Sequence, residues 1–369
     1  MTRFAIIVFC FFMAFHLVAY YGLIRAIFES AKGKIIAGLC VLAHFIITLG
    51  FAVAMIGFRA DIPHFLYAML STTALNAVLF FTFGVVNIVF LVIFRSNLKA
   101  QIKTARILFG VCVLCIMLSI INAARLPNIT RTDIFVPNLA RESTILMMSD
   151  LHLSRLISQN KARAIIDLAN AQNADTIVLV GDIVDSRSEI MSDFLPYLAN
   201  LKAKNGVYFA LGNHEFIFGA ENSVAMIKKL GNITPLVNQS VVVDESYNLI
   251  GISDLSANRF GGNSDFAPDF EGAIRGVNTR LPKILLSHQP NIIKHIDAQK
   301  VDLILSGHTH GGQIFPFSIG AYFANPFLYG LKNINGTQLY ISQGAHLAVT
   351  YGRFLSRAEI NLITLKKSV

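Results

Sequence analysis

Tryptophan is absent from this chain, and none of its four cysteines lies beyond position 115. Cys10, Cys40, Cys112 and Cys115 all fall in apolar runs, so residues 127–369 offer no thiol for a disulfide framework or a closed structural zinc site. The C-x-x-C spacing of Cys112 and Cys115 reads as small apolar residues within a helix rather than a redox pair. Acid is nearly missing from the start of the chain. Residues 1–126 carry Glu29 and Asp61 against ten Lys and Arg, whereas residues 127–369 hold 21 basic and 20 acidic side chains. The net charge of +9 therefore belongs to one part of the molecule. No basic stripe is interleaved with stacking aromatics, which argues against a nucleic-acid partner. Internal repeats and low-complexity tracts are also missing.

What is abundant is uninterrupted hydrophobicity. Apolar residues make up 54% of the chain, too many for one ordinary soluble domain. Four runs nearly free of charge, near 4–24, 35–58, 65–94 and 105–123, are long enough as helices to cross a hydrocarbon core of about 30 Å. They predict a transmembrane region over 1–126. A buried core helix explains one such run, seldom four in succession. A secretory signal fits only the first run, which has no obvious small-residue cleavage site before Tyr20. The basic excess fits anionic headgroups, making membrane lipids an expected partner. His16 and His44 are nearly the only ionisable groups inside the runs. They read as packed or interfacial, and are too few for a proton relay or carrier.

From Leu126 the composition shifts. Residues 127–142, with Pro127, Pro137 and mixed charge, read as a linker, and 143–369 as a catalytic domain. That domain repeats one pattern, a short apolar run handing over to a small or polar residue: "TILMMSD", "TIVLVGD", "VYFALGN", "KILLSHQ" and "DLILSGH". These are expected as strands buried on both faces. Helical stretches at 160–172 and 221–231 alternate with them, as in an α/β architecture. The later runs "SVVVDESYNLIGIS" and "QLYISQGAHLAV" look like hairpin or mixed-sheet pieces, which points to two packed sheets.

Ligands of open α/β sheets gather at the carboxyl ends of the strands. The five strand ends here carry Asp150 and His152, Asp182, Asn213 and His214, His288, then His308 and His310. All are oxygen or imidazole donors, a mixture suited to Mn²⁺, Fe²⁺, Zn²⁺ or Mg²⁺. Eight candidates exceed the needs of one ion and suit two, provided a carboxylate bridges them. Two such ions serve in-line displacement at phosphorus, and they activate water without a separate strong base. Alone, "DLH" is a weak signal and His152 a plausible core histidine. "GNHE" is stronger, and "GHTHGG" stronger again, because two histidines between glycines have no packing purpose.

In order, "DLH" (150–152), "GDIVD" (181–185), "GNHE" (212–215), His288 and "GHTH" (307–310) resemble the motifs of the calcineurin-like metallophosphoesterases, over about residues 143–365. The resemblance implies a sandwich of two mixed β-sheets flanked by helices, here preceded by the four-helix membrane region. It implies that Asp150, His152, Asp182 and His310 bind one metal, and that Asp182, Asn213, His288 and His308 bind the other, with Asp182 as the bridge. His214 matches the histidine that contacts the reacting phosphate and protonates the leaving group, and Asp185 a residue that orients it. Of the metals, Mn²⁺ stands first. Arg155 is a candidate phosphate contact or a surface residue.

Residues 311–331 carry no charge, and "IFPFSIGAYFANPFLYG" sets six aromatics just past the last two candidate ligands. Either this is a packed crossover, or it is an apolar wall or membrane-dipping loop for a substrate with acyl chains. The segments "SHQP" and "SGHTHGGQ" are most similar to the membrane-attached branch of the family, which includes enzymes acting on UDP-2,3-diacylglucosamine. The expected reaction is pyrophosphate hydrolysis of that lipid-linked nucleotide to UMP and 2,3-diacylglucosamine 1-phosphate, at the cytoplasmic side of a bacterial inner membrane. The loops at 25–34 and 95–106 carry seven Lys and Arg. The other side carries five, Arg3, Arg59, Arg125, Arg131 and Arg141, so the charge bias leans toward an extracytoplasmic domain. The alternatives are therefore an outward-facing phosphodiesterase or phosphatase and, in another class, a metal-binding membrane scaffold or transporter. Oligomeric state is not legible.

Overall fold

A computed structural model describes residues 2–58, 61–259, 264–325 and 327–368. Arg59 of the charge comparison and Pro326 of the aromatic run lie outside the described residues. The chain divides into two compact units, Met1–Ala124 with Val349–Phe354, and Arg125–Ala348 with Leu355–Val369.

The first unit holds four long helices, α1 (Thr2–Gly22), α2 (Ala31–Phe58), α3 (His64–Ile93) and α4 (Leu98–Ala124). Each contains a stretch long and apolar enough to cross a membrane. Two of them start earlier than the hydrophobic runs suggest. Asn97 Oδ1 accepts the Ala100 N–H at 3.0 Å and Ser30 Oγ accepts the Gly33 N–H at 3.1 Å, so each caps a helix whose first turns carry basic residues. Lys32, Lys34, Lys99, Lys103 and Arg106 are thus helical rather than in loops, their stems long enough to reach the interface. Helices α1 and α3 approach closely. A Cβ on Gly22 would stand 2.6 Å from the Gly84 carbonyl oxygen, and Asn87 Nδ2 donates to the Gly22 carbonyl at 2.6 Å. His16 and His44 pack on one another, Nε2 to Nδ1 at 2.8 Å.

Residues 349–354 join this helical unit, although they lie within the stretch read as catalytic domain. Thr350 Oγ1 donates to the Ser71 carbonyl at 2.6 Å, the Tyr351 N–H to Ser71 Oγ at 3.0 Å, and the Arg353 N–H to the Ser119 carbonyl at 3.2 Å.

The second unit runs β1 (Asn128–Val136), β2 (Ser143–Met148), α5 (Gln159–Asn170), β3 (Thr176–Val180), α6 (Ser188–Met191), α7 (Leu195–Leu198), β4 (Val207–Ala210), α8 (Asn213–Phe218), α9 (Ala220–Lys229), β5 (Ile233–Pro235), β6 (Gln239–Val243), β7 (Tyr247–Gly251), α10 (Phe270–Ala273), β8 (Lys283–Leu286), β9 (Leu303–Ser306), α11 (Phe317–Ala324), β10 (Gly330–Ile334), β11 (Thr337–Ile341) and β12 (Glu359–Lys367). Two six-stranded sheets result, ordered β1-β12-β2-β3-β4-β5 and β10-β11-β9-β8-β7-β6. Both are mixed: β2 through β5 and β7 through β9 are parallel, while β12 against β2, β6 against β7 and β10 against β11 are antiparallel. The expected fold class is the observed one.

The apolar runs are continuous because alternate residues serve different cores. Ile145, Met147, Val178 and Val180 face the inter-sheet core with Ile284, Leu286, Leu303 and Leu305, while Leu146, Met148, Ile177 and Leu179 face the layer that contains α5. Each such side chain contributes about 1.5–3 kcal/mol by burial. The stretch expected as a linker, 127–142, contains β1, an edge strand paired in parallel with β12 over all nine of its residues. Pro127 and Pro137 bracket that strand, as suits residues unable to donate to a ladder.

Candidate metal centre

Each candidate ligand stands two to four residues past a strand: Asp150 and His152 after β2, Asp182 after β3, Asn213 after β4, His288 after β8, and His308 and His310 after β9. The turns that deliver them are left-handed. Asp150 (φ 54°), His152 (44°), Asp182 (53°), His308 (73°) and His310 (49°) adopt positive φ, a conformation that costs a non-glycine residue about 1–2 kcal/mol. Such strain gathers at functional sites, and five instances across two adjoining clusters tell against incidental surface residues. Close approach adds to it. A Cβ on Gly212 would lie 2.3 Å from Asp182 Oδ1, and one on Gly307 2.4 Å from Asp150 Oδ2.

All the residues singled out from the sequence come together except Arg155, whose Nη1 pairs with Asp193 Oδ2 at 2.7 Å. In one cluster, His310 Nε2 stands 3.3 Å from Asp150 Oδ1 and 3.0 Å from His152 Nε2. His152 Nδ1 donates to Asp185 Oδ2 at 3.1 Å, which turns its Nε2 toward His310. Two imidazole nitrogens at that distance need a proton or a cation between them. In the other cluster, His288 Nε2 lies 3.1 Å from Asp182 Oδ2, and His308 Nδ1 lies 3.3 Å from His288 Nε2 and 2.9 Å from Asn213 Oδ1. His288 Nδ1 donates to the Val180 carbonyl at 2.9 Å, which turns Nε2 inward. Asp182 Oδ2 also lies 3.8 Å from His152 Nε2, so one carboxylate faces both clusters. The donor set and its convergence fit two divalent ions.

Asp185 and His214 lie beside the first cluster. Asp185 Oδ1 takes the His214 Nδ1–H while Oδ2 holds His152, so both oxygens are engaged by imidazoles. Burial alone would raise the Asp185 carboxyl, but the charges of His214 and His152 bring it down to about 2. Burial opposes charge on His214, yet Asp185 and then Asp182 push it up to about 10. Likewise the fields of His288 and His214 overcome burial and hold Asp182 well below the ordinary carboxylate range. With a side chain 23% exposed, His214 is reachable by a substrate.

Sequence reasoning missed Glu215, though it stands in "GNHE". It is fully buried and accepts the N–H groups of Asp182, Ile183, Val184 and Gly212 at 2.7–3.0 Å. Burial and the Asp182 charge push its carboxyl up to about 7, against the N–H groups of Val184 and Gly212. Its signal was positional: an acid three residues into a helix start, where a carboxylate reaches back to free N–H groups.

The calcineurin-like phosphoesterase pattern matches residues 143–312. A Danio rerio protein described as "Transmembrane protein with metallophosphoesterase domain" is 31% identical over 332 residues, which are 83% of this chain and 75% of that one. The chain belongs to the calcineurin-like metallophosphoesterase family. An "Uncharacterized metallophosphoesterase" of Helicobacter pylori is 36% identical over 241 residues, 65% of this chain. The match spans 64% of that relative's own length. A solved "dimetal phosphatase from Danio rerio" aligns at 13% identity over 60% of this chain and 98% of its own, with a TM-score of 0.37.

For this metallophosphoesterase, two bound divalent ions would supply Lewis acidity and make water ionisable near neutral pH. Asp185 holds a proton on His214 Nδ1 and fixes the orientation of the ring. Glu215 fixes the turn that carries Asp182 to the helix start that carries Asn213 and His214.

Proposed function

We propose that this membrane-anchored metallophosphoesterase hydrolyses a phosphoester or pyrophosphate whose substrate bears acyl chains, with UDP-2,3-diacylglucosamine as the specific candidate and UMP and 2,3-diacylglucosamine 1-phosphate as products. Asp150, His152, Asp182 and His310 hold one ion, Asp182, Asn213, His288 and His308 the other, with Mn²⁺ the first metal to test. His214 is the proton donor and Asp185 its orienter. The carrying observation is that α11, seven residues past His310, buries none of its side chains and carries no charge, so apolar surface lies open close along the chain to the candidate ligands.

In this reading the centre faces the cytoplasm of a bacterial inner membrane, where a UDP-linked substrate is found. The test is product analysis with purified protein, Mn²⁺ and UDP-2,3-diacylglucosamine beside an Asp182→Ala variant. UMP from the parent alone supports the substrate. No UMP, with brisk hydrolysis of a soluble phosphodiester, refutes it.

A second reading is an outward-facing phosphodiesterase or phosphatase of envelope substrates. It is favoured by the basic residues at the α1–α2 and α3–α4 ends, Arg25, Lys32, Lys34, Arg95, Lys99, Lys103 and Arg106. A topology reporter fused after Val369 separates the two.

A further inference from the structure

The geometry points to α11 as an interfacial element that seats in the lipid surface, a contact separate from the four spans. The inference rests on the membrane-anchored reading above, and not on the identity of the substrate.

Three observations carry it. First, Ile319, Tyr322 and Phe323 fall at i, i+3 and i+4 on α11 and are all exposed, Phe323 at 82%. Phe315, Phe317, Tyr329 and Leu331 continue the exposed surface. Leaving so many large apolar groups in water is costly for a soluble surface and marks a contact site. Second, the segment from Gly311 to Leu331 carries no charge. A protein-binding patch has a polar, charged rim, whereas an aromatic and aliphatic helix of this kind suits the boundary of headgroups and acyl chains.

Third, the chain connectivity ties this segment to a membrane-borne one. Gln313, four residues before α11, is fixed at both ends of the 349–354 excursion. Its Nε2 donates to the Ala348 carbonyl at 2.9 Å, its Oε1 accepts the Ala348 N–H at 2.9 Å, and its carbonyl accepts Ser356 Oγ–H at 2.9 Å. Between Ala348 and Leu355 the chain belongs to the unit of apolar helices. Leu355, where it returns, is 77% exposed and extends the same apolar character. Thr309, between the candidate ligands His308 and His310, donates its hydroxyl to the Leu328 carbonyl, so the far end of the loop is fastened to the metal centre.

The absence of tryptophan makes the test clean. In the full chain, Phe323→Trp and, as the control, Val242→Trp on β6 each create a single emitter. Each variant is reconstituted in vesicles of phosphatidylcholine and phosphatidylglycerol, with and without bromine on the acyl chains. Bromolipid is expected to quench the Phe323→Trp protein at least roughly twofold more than the control, with little effect of salt because the segment is uncharged. Equal quenching at the two sites overturns the proposal. So does a blue-shifted emission at 323 that bromolipid leaves untouched and that depends on protein concentration, because a second copy then covers the face. If quenching is found and UMP release is not, the lipid contact stands and the proposed substrate falls.

Discussion

Glu215 holds the backbone of Asp182: its Oε2 accepts the Asp182 N–H at 3.0 Å and the Gly212 N–H at 2.7 Å, and its Oε1 takes Ile183 and Val184 at 2.8 Å each. The carboxylate that faces both ligand clusters is therefore positioned by a second, buried carboxylate whose oxygens accept backbone N–H groups. Glu215→Ala strands four N–H groups in the interior and should cost about 3 kcal/mol or more. Denaturant unfolding of the metal-free protein in detergent measures this. A variant within about 0.5 kcal/mol of the parent would contradict the clamp.

Asp185 links His152 to His214 through one oxygen each. Asp185→Asn keeps the shape but offers the imidazoles one acceptor oxygen and an amide, so one ring loses its orientation and His214 loses the charge that keeps it protonated. The expected outcome is a fall in kcat of about 10²–10⁴-fold with both ions still bound. Metal content by elemental analysis beside kcat on a soluble phosphodiester checks it. Loss of metal in proportion to activity would make Asp185 a ligand instead.

The sequence pattern made the strand ends legible for a physical reason. Strands buried on both faces read as unbroken apolar runs, so the polar residue that follows each is conspicuous. What stayed hidden depends on distant partners. Glu215 matters only because the turn after β3 and the turn after β4 meet around it. The Arg155 partner, Asp193, lies 38 residues away. β1 is a half-exposed edge strand, with burial of Ile134 and Val136 at one end only, and its composition resembles a linker. Nothing local in 349–354 says that its bonding partners are Ser71 and Ser119 in the apolar helices.

Proton release should accompany metal binding. Burial lowers the proton affinity of His288, but Asp182 and then Asp150 raise its pKa well above 6.5, so the metal-free site holds that proton at neutral pH. An ion must displace it, and apparent affinity should rise about tenfold per pH unit while His288 is protonated in the free protein. Competition with a fluorescent chelator at pH 6, 7 and 8 reads the slope. A flat profile would mean that His288 is already neutral, or is not a ligand.

Gly84 sits where α1 and α3 touch. A Cβ there would stand 2.7 Å from the Val18 carbonyl oxygen, and its own carbonyl oxygen is 2.6 Å from where a Cβ on Gly22 would be. In a bilayer the lipid tails are as apolar as leucine, so helix pairs are held by close packing at small residues and by the occasional polar contact. Here that contact is Asn87 to the Gly22 carbonyl. Gly84→Val pushes the helices apart and loses both. Its helical unit should unfold in detergent at a lower temperature than the parent, with a loss of about 1–3 kcal/mol. Asn87→Ala should lose less, about 0.6–2 kcal/mol. If Gly84→Val melts with the parent, α1 and α3 do not meet at this point.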